Sequence, residues 1–346
     1  MSDLFEREVR EQPETLARLL ARGRAAAEET AEAIRAKAPS FAMIAARGTS
    51  DNAARYGQYL FGIHNRLAVA QSAPSLFTYY DVAPRIERAV VIGISQSGQS
   101  PDVVAVLKEA RRQGAVTVAV TNDPASPLAL AAAFVLPLHA GQERAIAATK
   151  TYTAQLMALA MLSAALEGEP ARWKDLAALP EQVAATLDLR PTGRGEAASL
   201  RHRERLVVVG RGFNLATAFE IALKIKETCH VMADAYSSAD FLHGPVALLE
   251  EGLPVLVVAP RSRSFEDLDA VVGLARERGA PLVAVSDSPA LLQRADVSLP
   301  LPPGVPEWLS PLVAVVPGQL WAAELARARG LTADAPRGLK KVTLTR

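Results

Sequence analysis

The sequence predicts an α/β protein built from two tandem, doubly wound domains, each a parallel sheet flanked by helices. Three observations carry that prediction. Short apolar runs rich in valine and isoleucine occur at residues 41–45, 90–95 and 118–121, bounded by Gly, Ser or Pro, and read as strands buried on both faces. A second set, at 206–209, 255–259 and 282–286, follows the first at a nearly constant offset of about 165 residues. Helical patterns lie between the runs. One spans 101–110, with Pro101 in its first turn and Gly114 beyond its end. Strand, helix and strand alternate in each half, as in doubly wound sheets.

The elements follow in order. Residues 15–38 are rich in Ala, Glu and Arg and predict a helix, the main part of an N-terminal arm over 1–38. The first domain is expected over 39–170. Helix formers, followed by Pro191-Thr192-Gly193-Arg194-Gly195, mark 171–199 as a linker. The second domain is expected over 200–330. A tail over 331–346, with Pro336 and Gly338, has no counterpart in the first half.

Composition narrows the classes. The chain has 346 residues and is 50% hydrophobic, enough for a large core in each copy. Lys+Arg 38 against Asp+Glu 37 gives a net charge of +1, which leaves no electrostatic footprint for nucleic acid. The lone cysteine, Cys229, excludes an internal disulfide and fits a reducing compartment. No uninterrupted apolar stretch reads as long enough to span a bilayer, and the charged segment 1–10 lacks a signal-peptide core. A cytoplasmic protein with no membrane partner is expected. No His/Cys/Asp cluster has metal-ligand spacing, so no metal or cofactor is expected.

Two loops point to an anion. Ser95-Gln96-Ser97-Gly98-Gln99-Ser100 lies between a strand and a helix start. Free backbone N–H groups and the positive end of the helix dipole favour a phosphate there, serine hydroxyls add donors, and Gly98 lets the backbone come close. A polar N-cap would use the same residues. The second copy reads Pro260-Arg261-Ser262-Arg263-Ser264-Phe265, without glycine, which singles out the first copy as the functional one. Gly48-Thr49-Ser50-Asp51 is placed similarly after the first strand, either as part of a sugar-phosphate pocket or as a cap for a helix beginning at Asn52 and Ala53.

With the duplicated α/β unit, the Ser-Gln-Ser-Gly-Gln-Ser loop resembles the sugar isomerase (SIS) domain family. Ala46-Arg47-Gly48-Thr49-Ser50, Ala145-Ile146-Ala147-Ala148-Thr149-Lys150, Ala222-Leu223-Lys224-Ile225-Lys226-Glu227, His243-Gly244-Pro245 and Pro336-Arg337-Gly338-Leu339-Lys340-Lys341 occur in that order. Together with Glu11-Gln12-Pro13 they are similar to the isomerase module of glucosamine-6-phosphate synthases along essentially the whole chain.

The residues and the resemblance then give a catalytic set. Glu227 has Lys224 three residues earlier on one helix face, so its carboxylate stays ionised and can move a proton between adjacent sugar carbons; an exposed ion pair is the plainer reading. The resemblance makes Glu227 the base for enolisation at C1/C2. His243, beside Gly244-Pro245, has the chemistry to protonate a ring oxygen. The resemblance implies that it opens the sugar from a neighbouring subunit, and hence a homodimer with shared sites. Lys341 has an amine able to form a Schiff base with an opened sugar, and the resemblance places it in a tail that closes over the substrate, with Lys340 the alternative. Ala147, Ala148 and Thr149 are implied as a pocket wall supported by Lys150. His230 and Cys229 are read as structural.

Two departures shape the expected reaction. Met1 is followed by Ser2, and no cysteine precedes Cys229, so the synthase's glutaminase domain is expected to be absent and glutamine-dependent synthesis by this chain is not expected. Arg47 stands where synthases carry cysteine, which resembles stand-alone deaminases. The expected substrate is a hexosamine or hexose 6-phosphate, and the expected reaction is deamination of glucosamine 6-phosphate to fructose 6-phosphate and ammonia. A fructosamine-6-phosphate deglycase and a non-catalytic phosphosugar sensor are the alternatives.

Overall fold

The computed structural model describes residues 3–191, 197–249 and 252–341. Met1 and Ser2, most of the expected Pro-Gly linker (192–196) and the end of the expected tail (342–346) lie outside the described residues. The first half runs α1 (Leu4–Arg10), α2 (Gln12–Lys37), β1 (Phe41–Ala45), α3 (Thr49–His64), β2 (Val69–Gln71), α4 (Ser75–Thr78), β3 (Ala89–Ile94), α5 (Pro101–Arg112), β4 (Val116–Thr121), α6 (Pro127–Ala131), β5 (Phe134–Pro137), α7 (Lys150–Glu167) and α8 (Pro170–Asp188). The second runs β6 (Arg205–Gly210), α9 (Leu215–Cys229), β7 (Met232–Ser237), α10 (Ser238–Leu242), β8 (Val255–Val258), α11 (Phe265–Glu277), β9 (Leu282–Ser286), α12 (Pro289–Leu292), β10 (Val297–Pro300) and α13 (Ser310–Ala328).

Two five-stranded sheets result, with orders β2-β1-β3-β4-β5 and β10-β9-β8-β6-β7. Every pairing is parallel, with Ala42 opposite Val90 and Val91 opposite Thr117 in the first sheet and Val208 opposite Leu256 in the second. Read from its β7 edge, the second sheet repeats the strand order of the first. The three inner strands of each sheet are the six apolar runs of the sequence. Their burial on both faces is what makes them continuous in valine and isoleucine. Edge strands β2, β5 and β10 have only three or four residues, and the six-residue β7 is partly exposed and reads Met-Ala-Asp-Ala-Tyr-Ser, so none leaves a comparable run.

The chain divides into two compact units, each drawn from separated segments. Among the described residues, one holds the first sheet and comprises 14–143, 150–178 and 340–341; the other holds the second sheet and comprises 3–13, 144–149, 179–191, 197–249 and 252–339. In the first, Val91, Val103, Leu107 and Leu128 form part of the core beside the sheet. In the second, Val209, Val257, Leu268 and Val272 do the same.

The segment exchange has visible causes. In the second-sheet unit the Glu8 carboxylate accepts backbone N–H bonds from Arg144 at 2.6 Å and Ala145 at 3.1 Å. The Asp334 carboxylate accepts from Leu4 at 3.0 Å and Phe5 at 2.7 Å, at the start of α1. Those are donors that a helix start leaves open. Residues 331–339 are therefore tied down in the second-sheet unit.

Three local expectations change. The predicted N-terminal arm is part of the packed structure: Leu16, Leu19, Ala31 and Ile34 along α2 are buried. Most of the stretch read as a linker is helical in α8. Against the expectation that nothing is long enough to cross a membrane, the helical segment Glu307–Ala328 passes by length and apolarity. Its apolar window is 89% buried, and α13 packs on α9 within the same unit as a core helix.

Candidate active site residues

In the first-sheet unit the two predicted loops meet where the sheet order reverses. The chain leaves β1 for β2 on one side and β3 lies on the other, so the crevice beyond the carboxyl ends of β1 and β3 is the topological switch point. Residues 48–50 follow β1 and residues 95–100 follow β3. Gly48 has φ 54 and is the N-cap of α3, which begins at Thr49. The helix starts three residues earlier than the sequence suggested because this glycine turns the chain at once, placing Thr49 and Ser50 in the first turn. Ser50 is buried, and its Oγ accepts from Gln155 Nε2 at 3.0 Å.

The serine loop is folded on itself. Ser95 Oγ accepts from Gly98 N at 3.2 Å and lies 3.4 Å from Ser100 Oγ, while Ser97 Oγ accepts from Gln99 N at 3.3 Å. Gln96 O accepts from Asn122 N at 3.0 Å, and Gly98 O accepts from Leu128 N at 3.1 Å, which fasten the loop to the segment after β4. Gly98 has φ 63, and a Cβ there would collide with Ser126 Oγ. Ser100 is the N-cap of α5 but makes no side-chain capping bond, with Pro101 next in the helix. The loop thus closes on its own serines, with the Gly98 and Gln99 N–H groups bound internally, directly ahead of the α5 N-terminus.

In the second-sheet unit, α9 carries an acid–lysine–acid cluster in place of the exposed pair that the spacing alone allowed. Lys224 is fully buried; its Nζ lies 2.6 Å from Glu227 Oε2 and 3.3 Å from Glu220 Oε1. The Glu220 side chain is fully buried, whereas that of Glu227 is 21% exposed. Burial by itself would push the Lys224 ammonium toward neutrality, but the two carboxylates outweigh it and hold its pKa above the ordinary lysine value. The cluster thus presents a single partly open carboxylate, Glu227, on a rigid cationic support. His243 caps α10 and is exposed, with Nδ1 2.8 Å from the Ala239 carbonyl oxygen. That contact holds one side of the ring of this exposed residue. His230 ends α9 with φ 55, and Cys229 is buried with Sγ 3.2 Å from Ala322 O.

Ala147, Ala148 and Thr149 form the approach to α7 and belong to the second-sheet unit. Ala147 and Thr149 are buried, and Ala148 is partly open. Lys150 is buried at the head of α7 in the first-sheet unit, where its Nζ donates to Gln142 O at 2.8 Å. Of the two tail lysines, Lys341 has the specific contact. Its Nζ is 2.8 Å from Glu143 Oε2, whereas Lys340 is exposed. Glu143 is buried and also accepts from Thr151 N at 3.1 Å and Thr151 Oγ1 at 2.7 Å.

Three partners escaped the sequence reading. Glu220 sits four residues before Lys224, so the i,i+4 rule could have found it. Glu143 and Asp102 gave no local signal, since their partners are 198 and 55 residues away. Among the described residues, no group of three or more His, Cys, Asp or Glu is placed to hold a metal ion.

Comparison with known proteins agrees with this architecture. The SIS domain model matches residues 38–165 and 199–328. The glutamine–fructose-6-phosphate aminotransferase (isomerizing) of Pyrococcus horikoshii is 36% identical over 312 residues, covering 86% of this chain and 51% of the relative. The chain thus spans about half the length of the curated relatives it matches. A crystal structure described as a candidate phosphosugar isomerase from Silicibacter pomeroyi superposes with TM-score 0.88 at 36% identity, covering 96% of this chain and all of that one. The C-terminal domain of the glucosamine-fructose-6-phosphate aminotransferase of Francisella tularensis superposes with TM-score 0.85 over 97% of this chain and 99% of that one, at 24% identity, a likeness of fold. With the family model matched in both halves, the chain belongs to the SIS domain family.

Proposed function

We propose that the protein is an enzyme acting on a hexosamine 6-phosphate, and that it deaminates glucosamine 6-phosphate to fructose 6-phosphate and ammonia. The observation that carries this reading is the α9 cluster: one partly exposed carboxylate, Glu227, held 2.6 Å from a fully buried lysine that a second buried carboxylate clamps. A carboxylate fixed in that way can take a proton from one sugar carbon and return it to the next. The substrate class is supported by the serine loop at the switch point and by the sugar phosphate in the names of the related aminotransferases.

In the proposed sequence His243 protonates the ring oxygen and opens the sugar. Glu227 moves the proton from C2 to C1, converting the amine at C2 into an imine. Water then adds, ammonia leaves, and the ketone of fructose 6-phosphate remains. The loop over 95–100 anchors the phosphate, with Gly48, Thr49 and Ser50 beside it. Lys341, released from Glu143, has an amine that can engage the open-chain carbonyl. The exposure of His243, with Leu242 and Leu248 also exposed beside it, supports its use by a second copy of the chain.

Incubation of the purified protein with glucosamine 6-phosphate, followed by enzymatic detection of ammonia, tests the reaction. Ammonia and fructose 6-phosphate in equal amounts are expected. Release of an amino acid from a fructosamine 6-phosphate, with no ammonia from glucosamine 6-phosphate, would replace this reading with a deglycase. Mixing His243→Ala with Glu227→Gln protein should restore activity if sites are shared between copies; no recovery after subunit exchange would remove the dimer from the proposal.

A further inference from the structure

Asp102 poses an electrostatic problem for the serine loop. It lies in the first turn of α5, the helix that the loop precedes, and its side chain is fully buried. Its Oδ1 accepts from Val103 N at 2.9 Å, which consumes one of the free donors of the helix start. The end of a helix dipole is worth about half a positive charge, whereas an ionised carboxylate contributes a full negative one. Alone, Asp102 would turn this helix start from attractive to repulsive for a phosphate dianion.

Arg47 supplies the missing charge. It is the residue immediately before Gly48-Thr49-Ser50, and its Nε lies 2.7 Å from Asp102 Oδ2. The arginine side chain is 47% exposed, so its guanidinium reaches from solvent onto a carboxylate that solvent does not touch. We propose that Arg47 is a positioning residue for phosphate binding: by neutralising Asp102 it restores the favourable field of the α5 N-terminus, and it ties the chain just before Gly48-Thr49-Ser50 to the first turn of α5, directly after the serine loop. Carboxylate and guanidinium cancel, and the helix dipole again favours the anion. The inference rests on the reading of residues 95–100 as the phosphate anchor and deepens it by naming what makes that anchor competent.

Calorimetric titration of the full chain with inorganic phosphate and with fructose 6-phosphate, using unphosphorylated fructose as control, tests this without relying on turnover. Arg47→Ala should weaken both phosphate ligands about tenfold, the effect of one uncompensated nearby charge at intermediate dielectric. Asp102→Asn keeps an oxygen for Val103 N but removes the charge, and should tighten both ligands about threefold or more. The double variant Arg47→Ala/Asp102→Asn should return to within about threefold of wild type. Failure of wild type to bind either ligand would sink the phosphate-anchor reading and this inference with it. If wild type binds, then unchanged affinity in Arg47→Ala, or a double variant as weak as Arg47→Ala, overturns the inference while leaving the anchor intact. Should Arg47→Ala not fold, Asp102→Asn decides: affinity equal to or weaker than wild type overturns the proposal.

Discussion

Replacing Lys224 by methionine gives a severe test of the α9 cluster. Methionine keeps most of the apolar stem and removes the ammonium that lies 3.3 Å from Glu220 and 2.6 Å from Glu227. Glu220 is then a fully buried carboxylate without its lysine. Breaking a buried pair in this way costs about 3–5 kcal/mol, and Glu227 adds less than Glu220 because its side chain is 21% exposed. Against a usual stability of about 5–15 kcal/mol, that loss is large. Urea denaturation followed by tryptophan fluorescence reads it, since Trp308 and Trp321 are buried in the unit that holds Lys224.

The sign of the pH dependence adds a second check. In the wild type the lysine pKa is raised, so its contribution is complete below about pH 10.4 and is lost only as pH rises through the folded value. In Lys224→Met the buried Glu220 would favour its neutral form, raising its folded pKa above about 4.3. The variant should therefore regain stability relative to wild type between pH 7 and pH 5. The double variant Glu220→Gln/Lys224→Met should recover at least half of the loss while remaining impaired in turnover. A Lys224→Met protein within about 1 kcal/mol of wild type at pH 7, with no relative gain at pH 5, would mean that the lysine does not compensate a buried acid.

Other outcomes follow from the same geometry. Glu227→Gln should lower kcat for glucosamine 6-phosphate deamination by about 10²–10⁴, the usual contribution of a general base, with an unfolding midpoint near wild type; steady-state ammonia release and a melting curve measure both. Gly98→Ala should destabilise the chain by about 1–2 kcal/mol and weaken phosphate binding, because alanine meets both a φ of 63 and the Ser126 side chain; denaturation and phosphate titration check it. Burial pushes the Cys229 thiol up to about 11, so native protein should resist thiol reagents at pH 8. Because that folded pKa is raised, the thiol's contribution to stability should fall between about pH 8.5 and the folded value, and Cys229→Ala should flatten this alkaline limb in urea titrations at stepped pH.

Legibility in the sequence followed locality and burial. The six inner strands were visible because double-sided burial demands unbroken apolar runs, and the serine loop was visible because a strand, a glycine and a helix start occur in one short span. Lys224 and Glu227 were visible because helical spacing puts them on one face. The depth of Lys224 was not, since a lysine beside a glutamate reads the same on a surface as in a core. The start of α3 was missed by three residues because Gly48 at positive φ, and not the later Asn52, turns the chain. The short edge strands β2 and β5 lacked a run long enough to separate them from loops.

Local pattern was enough for two tandem parallel α/β units, the family, and the loop and helix that carry the proposed chemistry, while the shared strand order came from the fold. Which charges are compensated was set by the fold: Asp102 by Arg47, Lys341 by Glu143, and Lys224 on both sides by Glu220 and Glu227. The fold also packs residues 3–13 and 144–149 with the second sheet, through Glu8 and Asp334. The difference is one of range. Periodicity and capping act over a few residues and leave a pattern in the chain, whereas the desolvation that makes an ion pair matter depends on residues far apart in sequence that only the fold brings together.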